Sequence, residues 1–415
     1  MNSSRRIDAS WLREGGLPRL LGVLDRGSEE ARVVGGAVRN ALLGELVGDI
    51  DVATTALPDE VIRRAAAAGF KPVPTGVEHG TVTVIVDGTP FEVTTLREDV
   101  ETFGRHARVA FGRDWRRDAE RRDFTINALY AGRDGTVHDH VGGLADLADR
   151  RVRFIGDPAK RIAEDYLRIL RFFRFHAAYG DAEPPDPAGL SACIAARAGL
   201  ETLSRERVRM EVFKLLVARH AVPALVSMSE AGLLVSVLGG VPSLASFANM
   251  IKLERELSMT PDPVRRLGAL GVNTTEDADR LRERLRLANA EYGRLVSMAD
   301  DWWRITVATG MHDARVLIYR LGAQKFLGRA LLAWSRSWDE GAADQRWHDL
   351  ILLGDRWTAP VFPLRAADFI ARGLTKGPAL GAALRAAEEA WIAQDFPMDA
   401  GTIANIAEAA RASSK

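Results

Sequence analysis

The sequence predicts an α+β fold: a head with a small mixed sheet over residues 1–150, a helical neck over 151–235, and an extended all-helical body and tail over 236–415. Three observations lead there. Helix and strand signals alternate as far as Arg150. From Asp157 onward strand signals nearly vanish and Ala, Leu, Arg and Glu recur at helical spacing. Gly/Pro-rich breaks at Gly180–Pro187, Gly239–Pro242, Thr260–Pro263 and Thr358–Pro363 then divide the helical part into groups. A chain of 415 residues is also too long for one small core.

Within the head, Arg32–Val34 reads as a short strand, Ala37–Leu43 as a helix and Asp49–Ala53 as a second strand. Pro58–Ala68 is predicted helical, with Pro at its start and Gly69 after its end. Val82–Val86 and Phe91–Thr95 are β-branched runs separated by Asp87-Gly88, a hairpin signal. Arg97–Asp118 is charged, contains Gly104 and Gly112, and shows no clear period, so it is expected to be a mobile loop.

Composition narrows the function classes. Hydrophobic residues make up 47% and charged residues 27%, the ordinary mix of a soluble globular protein. No apolar run is long enough to span a bilayer, and Met1–Gly16 lacks a signal-peptide core, so a cytoplasmic protein is expected. The single cysteine, Cys193, can form no internal disulfide and has no partners at zinc-site spacing; a buried inert thiol is expected. With 56 basic and 56 acidic residues, the chain is not a nonspecific polyanion binder. A local basic surface is still open to it, because Arg150–Arg174 holds eight basic and three acidic residues.

The densest chemistry lies at Val33-Val34-Gly35-Gly36-Ala37-Val38-Arg39, followed ten residues later by Asp49-Ile50-Asp51. Residues i and i+2 of a strand share a face, so Asp49 and Asp51 are expected to project together with Ile50 turned inward. Two adjacent carboxylates repel unless a cation lies between them, and hard oxygen ligands with room for phosphates suit Mg²⁺. Gly35 and Gly36 remove side chains where backbone N–H groups approach a triphosphate at a helix N-terminus. Glu92, between Phe91 and Val93, becomes a third carboxylate if its strand neighbours the Asp-x-Asp strand. Such a set can serve two metal ions in phosphoryl transfer; the bland alternative for Glu92 is a solvated strand face.

Two further blocks are rich in charge. In Arg121-Arg122-Asp123-Phe124-Thr125-Ile126-Asn127-Ala128-Leu129, Arg122 can clamp phosphates or ribose, and Asp123 and Asn127 can bind a ribose hydroxyl or brace the arginine. In Glu164-Asp165-Tyr166-Leu167-Arg168, continuing through Arg171 and Arg174, Asp165 and Arg168 are expected one turn apart on one helix. The default there is a surface ion pair worth well under ~1 kcal/mol. A row of arginines at spacing three is nevertheless repulsive unless it faces an anion.

These blocks, together with Ser204-Arg205-Glu206-Arg207-Val208-Arg209-Met210-Glu211, closely resemble the class II tRNA nucleotidyltransferase and bacterial poly(A) polymerase family. The Gly-Gly and Asp-x-Asp pair by itself marks only the wider polymerase-β-like superfamily; all four blocks in order are specific. The resemblance spans about residues 30–220 and implies a polymerase-β-like nucleotidyltransferase head. It implies that Gly36 and Arg39 contact the phosphates of the incoming nucleotide, and that Asp49 and Asp51 hold Mg²⁺. Glu92 matches the third carboxylate. Arg122 matches a nucleotide contact with Asp123 near the ribose. Asp165 and Arg168 match the pair that reads the base, and Arg171 and Arg174 match nearby nucleotide-binding arginines. The Glu206–Arg207 block would support that helix rather than react.

The base-reading role has a physical rationale. Cytosine and adenine offer an amino donor beside a ring-nitrogen acceptor, whereas uracil and guanine invert that order. A carboxylate only accepts and a guanidinium only donates, so an Asp/Arg pair matches C and A and opposes U and G. One bidentate contact gives about 1–3 kcal/mol, so stringent choice also needs closure of the pocket, for which the Arg97–Asp118 segment is the candidate.

The resemblance implies an enzyme that builds the CCA end of tRNA from CTP and ATP, gripping the acceptor arm through its helical body. Competing readings are a poly(A) polymerase, a CC-only or A-only enzyme, and an inactive RNA-binding scaffold. The family often has Asp where this chain has Asn40, which puts any metal or pocket-bracing role there in question. Val137-His138-Asp139-His140 superficially suggests a metal site but fits a loop. Trp347-His348-Asp349-Leu350 lacks the companion ligands of a phosphohydrolase and reads as a helix-surface pair.

Overall fold

Val33 and Val34 are almost wholly excluded from solvent and lie on an interior strand of a seven-stranded mixed sheet. In the computed structural model, the described residues are 5–103, 106–181, 183–337 and 342–413. The strands are β1 (Ala31–Val34), β2 (Asp51–Thr54), β3 (Lys71–Gly76), β4 (Thr81–Val86), β5 (Thr89–Thr95), β6 (Arg97–Phe103), β7 (His106–Phe111), β8 (Leu129–Ala131) and β9 (Val137–Asp139). The sheet runs β3-β4-β5-β2-β1-β8-β9, with β2 and β5 parallel and the other neighbours antiparallel.

Alternation sets the faces of this sheet. In β4, Val82, Val84 and Val86 are buried while Thr81, Thr83 and Ile85 are partly covered. The helices Gly16–Leu24 and Pro58–Ala67 turn Leu17, Leu20, Leu21, Val61 and Ala65 inward. Elsewhere Val34, Ala53, Leu96, Trp115, Ala128, Tyr130 and Ile155 form one packed cluster. The Asp87-Gly88 signal is realised: both residues have positive φ, 51° and 82°, as a two-residue turn joining β4 to β5 requires.

The segment Arg97–Asp118 is not the expected loop. β6 and β7 pair as an antiparallel ribbon from Arg97↔Phe111 to Phe103↔His106, with a register shift between Asp99 and Glu101. The helix Trp115–Glu120 follows, capped by Asp114, whose side chain accepts from the backbone N–H of Arg116 and Arg117. Strand pairing uses backbone groups; β6 is largely charged and gives no apolar alternation, and Ala107, Val109 and Phe111 of β7 make only a short one.

Among the described residues no strand follows Asp139, and each of the four Gly/Pro-rich breaks lies between helices. The chain divides into two compact units: Met1–Leu244 with Glu283–Leu287, and Ala245–Arg282 with Ala288–Lys415. The second unit is helical; Phe369, Trp391, Ile392, Phe396, Ile406 and Ala407 make one of its apolar clusters. No described helix is long and apolar enough to cross a membrane. Cys193 is buried and unpaired, and burial pushes its thiol up to about 12.

Candidate active site

At the end of β1 the chain turns through Gly35, whose φ of 76° lies in the left-handed region that favours glycine. A Cβ there would sit 3.6 Å from the Asn127 carbonyl oxygen and 3.9 Å from Arg122 Nη1. Gly36 then opens the helix Gly36–Leu43, anchored by buried Ala37 and Val38. The first-turn N–H groups of a helix lack intrahelical acceptors and attract anions.

Strand register brings the carboxylates to this turn. Val34, just before Gly35, pairs with Asp51 at the start of β2, and Asp51 pairs with Glu92 in the parallel β2/β5 ladder. Partners in a ladder present their side chains on the same face. Asp49 departs from expectation: it precedes β2 instead of lying on it, and Ile50 is only half-buried. The reason is the length of β1, which turns away at Gly35 and leaves Asp49 no ladder partner. Asp49 remains near enough for its charge to act on Asp51. Desolvation, then Glu92 and, more weakly, Asp49 raise the Asp51 carboxyl above its ordinary range, against the pull of Arg122.

Arg122 is fixed from two sides. Its Nε and Nη2 donate to Asp118 Oδ2 at 3.3 and 3.1 Å, and Nε also reaches the Tyr130 hydroxyl at 3.3 Å. Tyr130 in turn donates to Asp118 at 2.8 Å, and Arg121 donates to the other Asp118 oxygen at 2.8 Å. Burial works to raise Asp118, but Arg122 and Arg121 hold it below the usual carboxylate range. The Nη1 edge of Arg122 is left facing Gly35.

Asp123 is buried, and one of its oxygens accepts from its neighbour's N–H at Phe124 and from Asn127 Nδ2. The other accepts from Arg171 Nε at 2.7 Å. Burial is again outweighed, chiefly by Arg171, and the Asp123 carboxyl lies low. Asp123 is therefore a brace between the head and the Leu167–Tyr179 helix.

The Asp165–Arg168 pair is not formed as expected. The helix Pro158–Glu164 stops before Asp165 and the next begins at Leu167. Asp165 accepts from Arg207 Nη2 at 2.6 Å and from the Leu167 N–H at 3.1 Å. Arg168 bonds to Glu164 and to the Arg161 carbonyl oxygen. Arg171 meets Asp123, and Arg174 Nε donates to Glu211 at 2.5 Å. The repulsion within the arginine row is thus relieved by internal acids supplied by separate segments. Arg207 supports Asp165, and Glu206 pairs with Arg286 at 2.6 Å.

Arg39 also differs from expectation. It is 5% exposed, and its guanidinium donates to Asn40 Oδ1, Asn127 Oδ1 and the Tyr179 hydroxyl. It is turned into the interior, where the rings of Phe175 and Tyr179 pack against it. Asn40 holds the loop after its helix through Nδ2 to the Leu46 carbonyl oxygen. Asp139 accepts from four backbone N–H groups of residues 141–144, a loop-capping task. Sequence reasoning missed Asp118, Glu164, Tyr130 and Tyr179. The first two stand four residues before Arg122 and Arg168, a readable helical pairing; the tyrosines gave no local signal.

Comparison with known proteins identifies the family. Residues 31–153 match the profile described as the Poly A polymerase head domain, and 185–247 match the probable RNA and SrmB-binding site of polymerase A. Fold and site thus define a nucleotidyltransferase. The mitochondrial CCA tRNA nucleotidyltransferase 1 of Homo sapiens is 35% identical, over 92% of this chain and 88% of its own length. The CCA-adding enzyme of Limosilactobacillus fermentum is 32% identical, over 88% and 89%. The crystal structure of the Bacillus stearothermophilus CCA-adding enzyme in complex with CTP has a TM-score of 0.76 at 26% identity, covering 98% of this chain and 99% of that one. This chain belongs to the CCA-adding tRNA nucleotidyltransferase family.

Proposed function

We infer that this protein adds C, C and A to the 3′ end of tRNA from CTP and ATP without a nucleic-acid template. The observation that carries the chemistry is the register Val34↔Asp51↔Glu92, which sets two carboxylates of one sheet face beside the glycine turn. The tRNA 3′-hydroxyl oxygen forms a bond to the α-phosphorus and gives up its proton to solvent, the α–β phosphoanhydride bond breaks, and pyrophosphate leaves. Gly36 and the N–H groups of its helix receive the triphosphate, and the Nη1 edge of Arg122 adds a cation beside them.

Asp49 and Asp51 are the proposed Mg²⁺ ligands, with Glu92 as the third carboxylate. The donor set fits: it is all oxygen and solvent-facing, and desolvation followed by repulsion from Glu92 and Asp49 already lifts the Asp51 carboxyl. Among the described residues no three His, Cys, Asp or Glu side chains form a ready-made metal cage, so phosphate and water would complete the coordination. When bound, Mg²⁺ supplies positive charge to the attacking and leaving oxygens. Asp165 and Arg168 read the base, while Arg171 and Arg174 orient the nucleotide; Asp165 is presented by Arg207. The functional division is head 1–150, neck 151–235, and body and tail 236–415, the last binding tRNA by shape and phosphate contacts. The proposed site of action is the cytoplasm.

The test supplies tRNAs ending before, within and after CCA, with CTP and ATP separately and together. Addition that stops at CCA supports the reading. An open-ended A ladder on assorted RNAs would make the protein a poly(A) polymerase, arrest after CC or action only on CC ends would make it a partial enzyme, and no transfer would leave a scaffold.

A further inference from the structure

Arg39 is a buried cation whose hydrogen-bond acceptors are all neutral. Its Nε and Nη2 share Asn40 Oδ1 at 3.1 and 2.9 Å, Nη1 donates to Asn127 Oδ1, and Nη2 donates to the Tyr179 hydroxyl at 2.6 Å. Its guanidinium carbon lies 3.7 Å from the Tyr179 ring centroid and 5.4 Å from that of Phe175. Burying an unpaired charge is costly, and here a phenol ring face and hydroxyl take the place a carboxylate would fill.

The same contacts close a ring. From Arg171 the hydrogen bonds run to Asp123, then Asn127, then Arg39, then Tyr179, back on the helix where they began. Arg171 and Tyr179 are eight residues apart, about 12 Å along a helix axis at 1.5 Å per residue. A helix held at one point can pivot, whereas one held at two separated points cannot. Between them Phe172 and Phe175 pack on Phe124; the ion pair at Arg171 and the Tyr179 hydroxyl are the polar attachments on either side of that contact.

We propose that Tyr179 is a positioning residue that fixes the arginine-bearing helix against the glycine turn, so that the base and the triphosphate of one nucleotide are aligned together. Tyr179 touches no substrate in this assignment; it acts through Arg39, whose helix starts at Gly36. Asn40 gives Arg39 only a neutral acceptor; a carboxylate at that position would pair with the cation and relieve its need for the Tyr179 hydroxyl, but would not tie the helix. The proposal rests on base reading by this helix in CCA addition.

The experiment is a double-mutant cycle on the full chain with Tyr179→Phe, Asn40→Asp and the two combined. One readout is thermal melting without ligands, which reports the strut whether or not transfer occurs. Tyr179→Phe is expected to lower Tm by roughly 2–4 °C in the otherwise unmutated chain and to have little effect in the Asn40→Asp background. The other readout is the ratio of kcat/KM for CTP to that for UTP on tRNA lacking CCA. Tyr179→Phe is expected to lower this ratio about three- to tenfold in both backgrounds, because a carboxylate at position 40 satisfies Arg39 without tying the helix. Equal melting losses in both backgrounds would overturn the strut. A melting cycle as expected with unchanged nucleotide choice would overturn its role in alignment. Failure of the unmutated chain to extend tRNA would refute the proposed function, and with it alignment during CCA addition, while the melting cycle still decides the strut.

Discussion

Asp51 is the carboxylate of the candidate site whose charge the fold opposes. Desolvation and the charges of Glu92 and Asp49 raise its carboxyl, so its charged form is disfavoured in the fold. An acid raised on folding loses stability as pH climbs from its unfolded value, ~3.9, to its folded one, and does not regain it at neutral pH. Without divalent cations at pH 7, Asp51→Asn should therefore melt no lower than the unmutated protein. With Mg²⁺ and CTP the order should reverse, because only the protein with both carboxylates gains Tm from the ligands. Transfer should fall on the order of a thousandfold, the loss of several kcal/mol of transition-state stabilisation. Pyrophosphate release measured across a magnesium titration checks this; near-normal rates in Asp51→Asn would remove the metal assignment.

At the scale of elements, the Leu167–Tyr179 helix owes its place to acids on its neighbours. Asp123 lies below the ordinary carboxylate range, as does Asp118 beside Arg122. For acids depressed on folding, the stabilisation is complete above the unfolded value near 4 and is lost as pH falls through the folded ones. Urea unfolding should show stability dropping below about pH 4, with a shallower drop in Asp123→Asn; equal slopes would take Asp123 out of the account. Asp165, between two helices and held by Arg207, belongs to the same scale. Asp165→Ala should reduce the preference for C over U by roughly 5- to 150-fold, the equivalent of about 1–3 kcal/mol. Competition between labelled CTP and UTP measures it, and unchanged selectivity would show that the base is read elsewhere.

For the whole molecule, the informative fact is the division into two compact units, one holding the sheet and arginine helix and the other helical throughout its described residues. A ligand stabilises the part of a protein that binds it. Calorimetry should resolve two transitions, and CTP with Mg²⁺ should raise only that of the sheet-bearing unit. Equal upward shifts in both would show that the nucleotide stabilises the two units as one. With equal numbers of basic and acidic residues, tRNA capture must come from local surfaces rather than from a global field.

The sequence by itself determined the alternation of helix and strand in the head, the helical remainder and its four breaks, and the Asp87-Gly88 turn. It also named the blocks from Gly35 to Arg174 that carry the candidate site. These features are local: residue type, period and turn chemistry act within a few positions of one another. Only the tertiary structure decided which partner each charge takes. Asp49 left the strand because β1 ends too soon, Arg39 went inward against Phe175 and Tyr179, and Asp165 turned to Arg207 instead of Arg168. The ribbon of β6 and β7 likewise emerged from backbone pairing that charged side chains conceal. A guanidinium or carboxylate has several acceptable partners in a sequence, and burial and distance select among them only after the chain has packed.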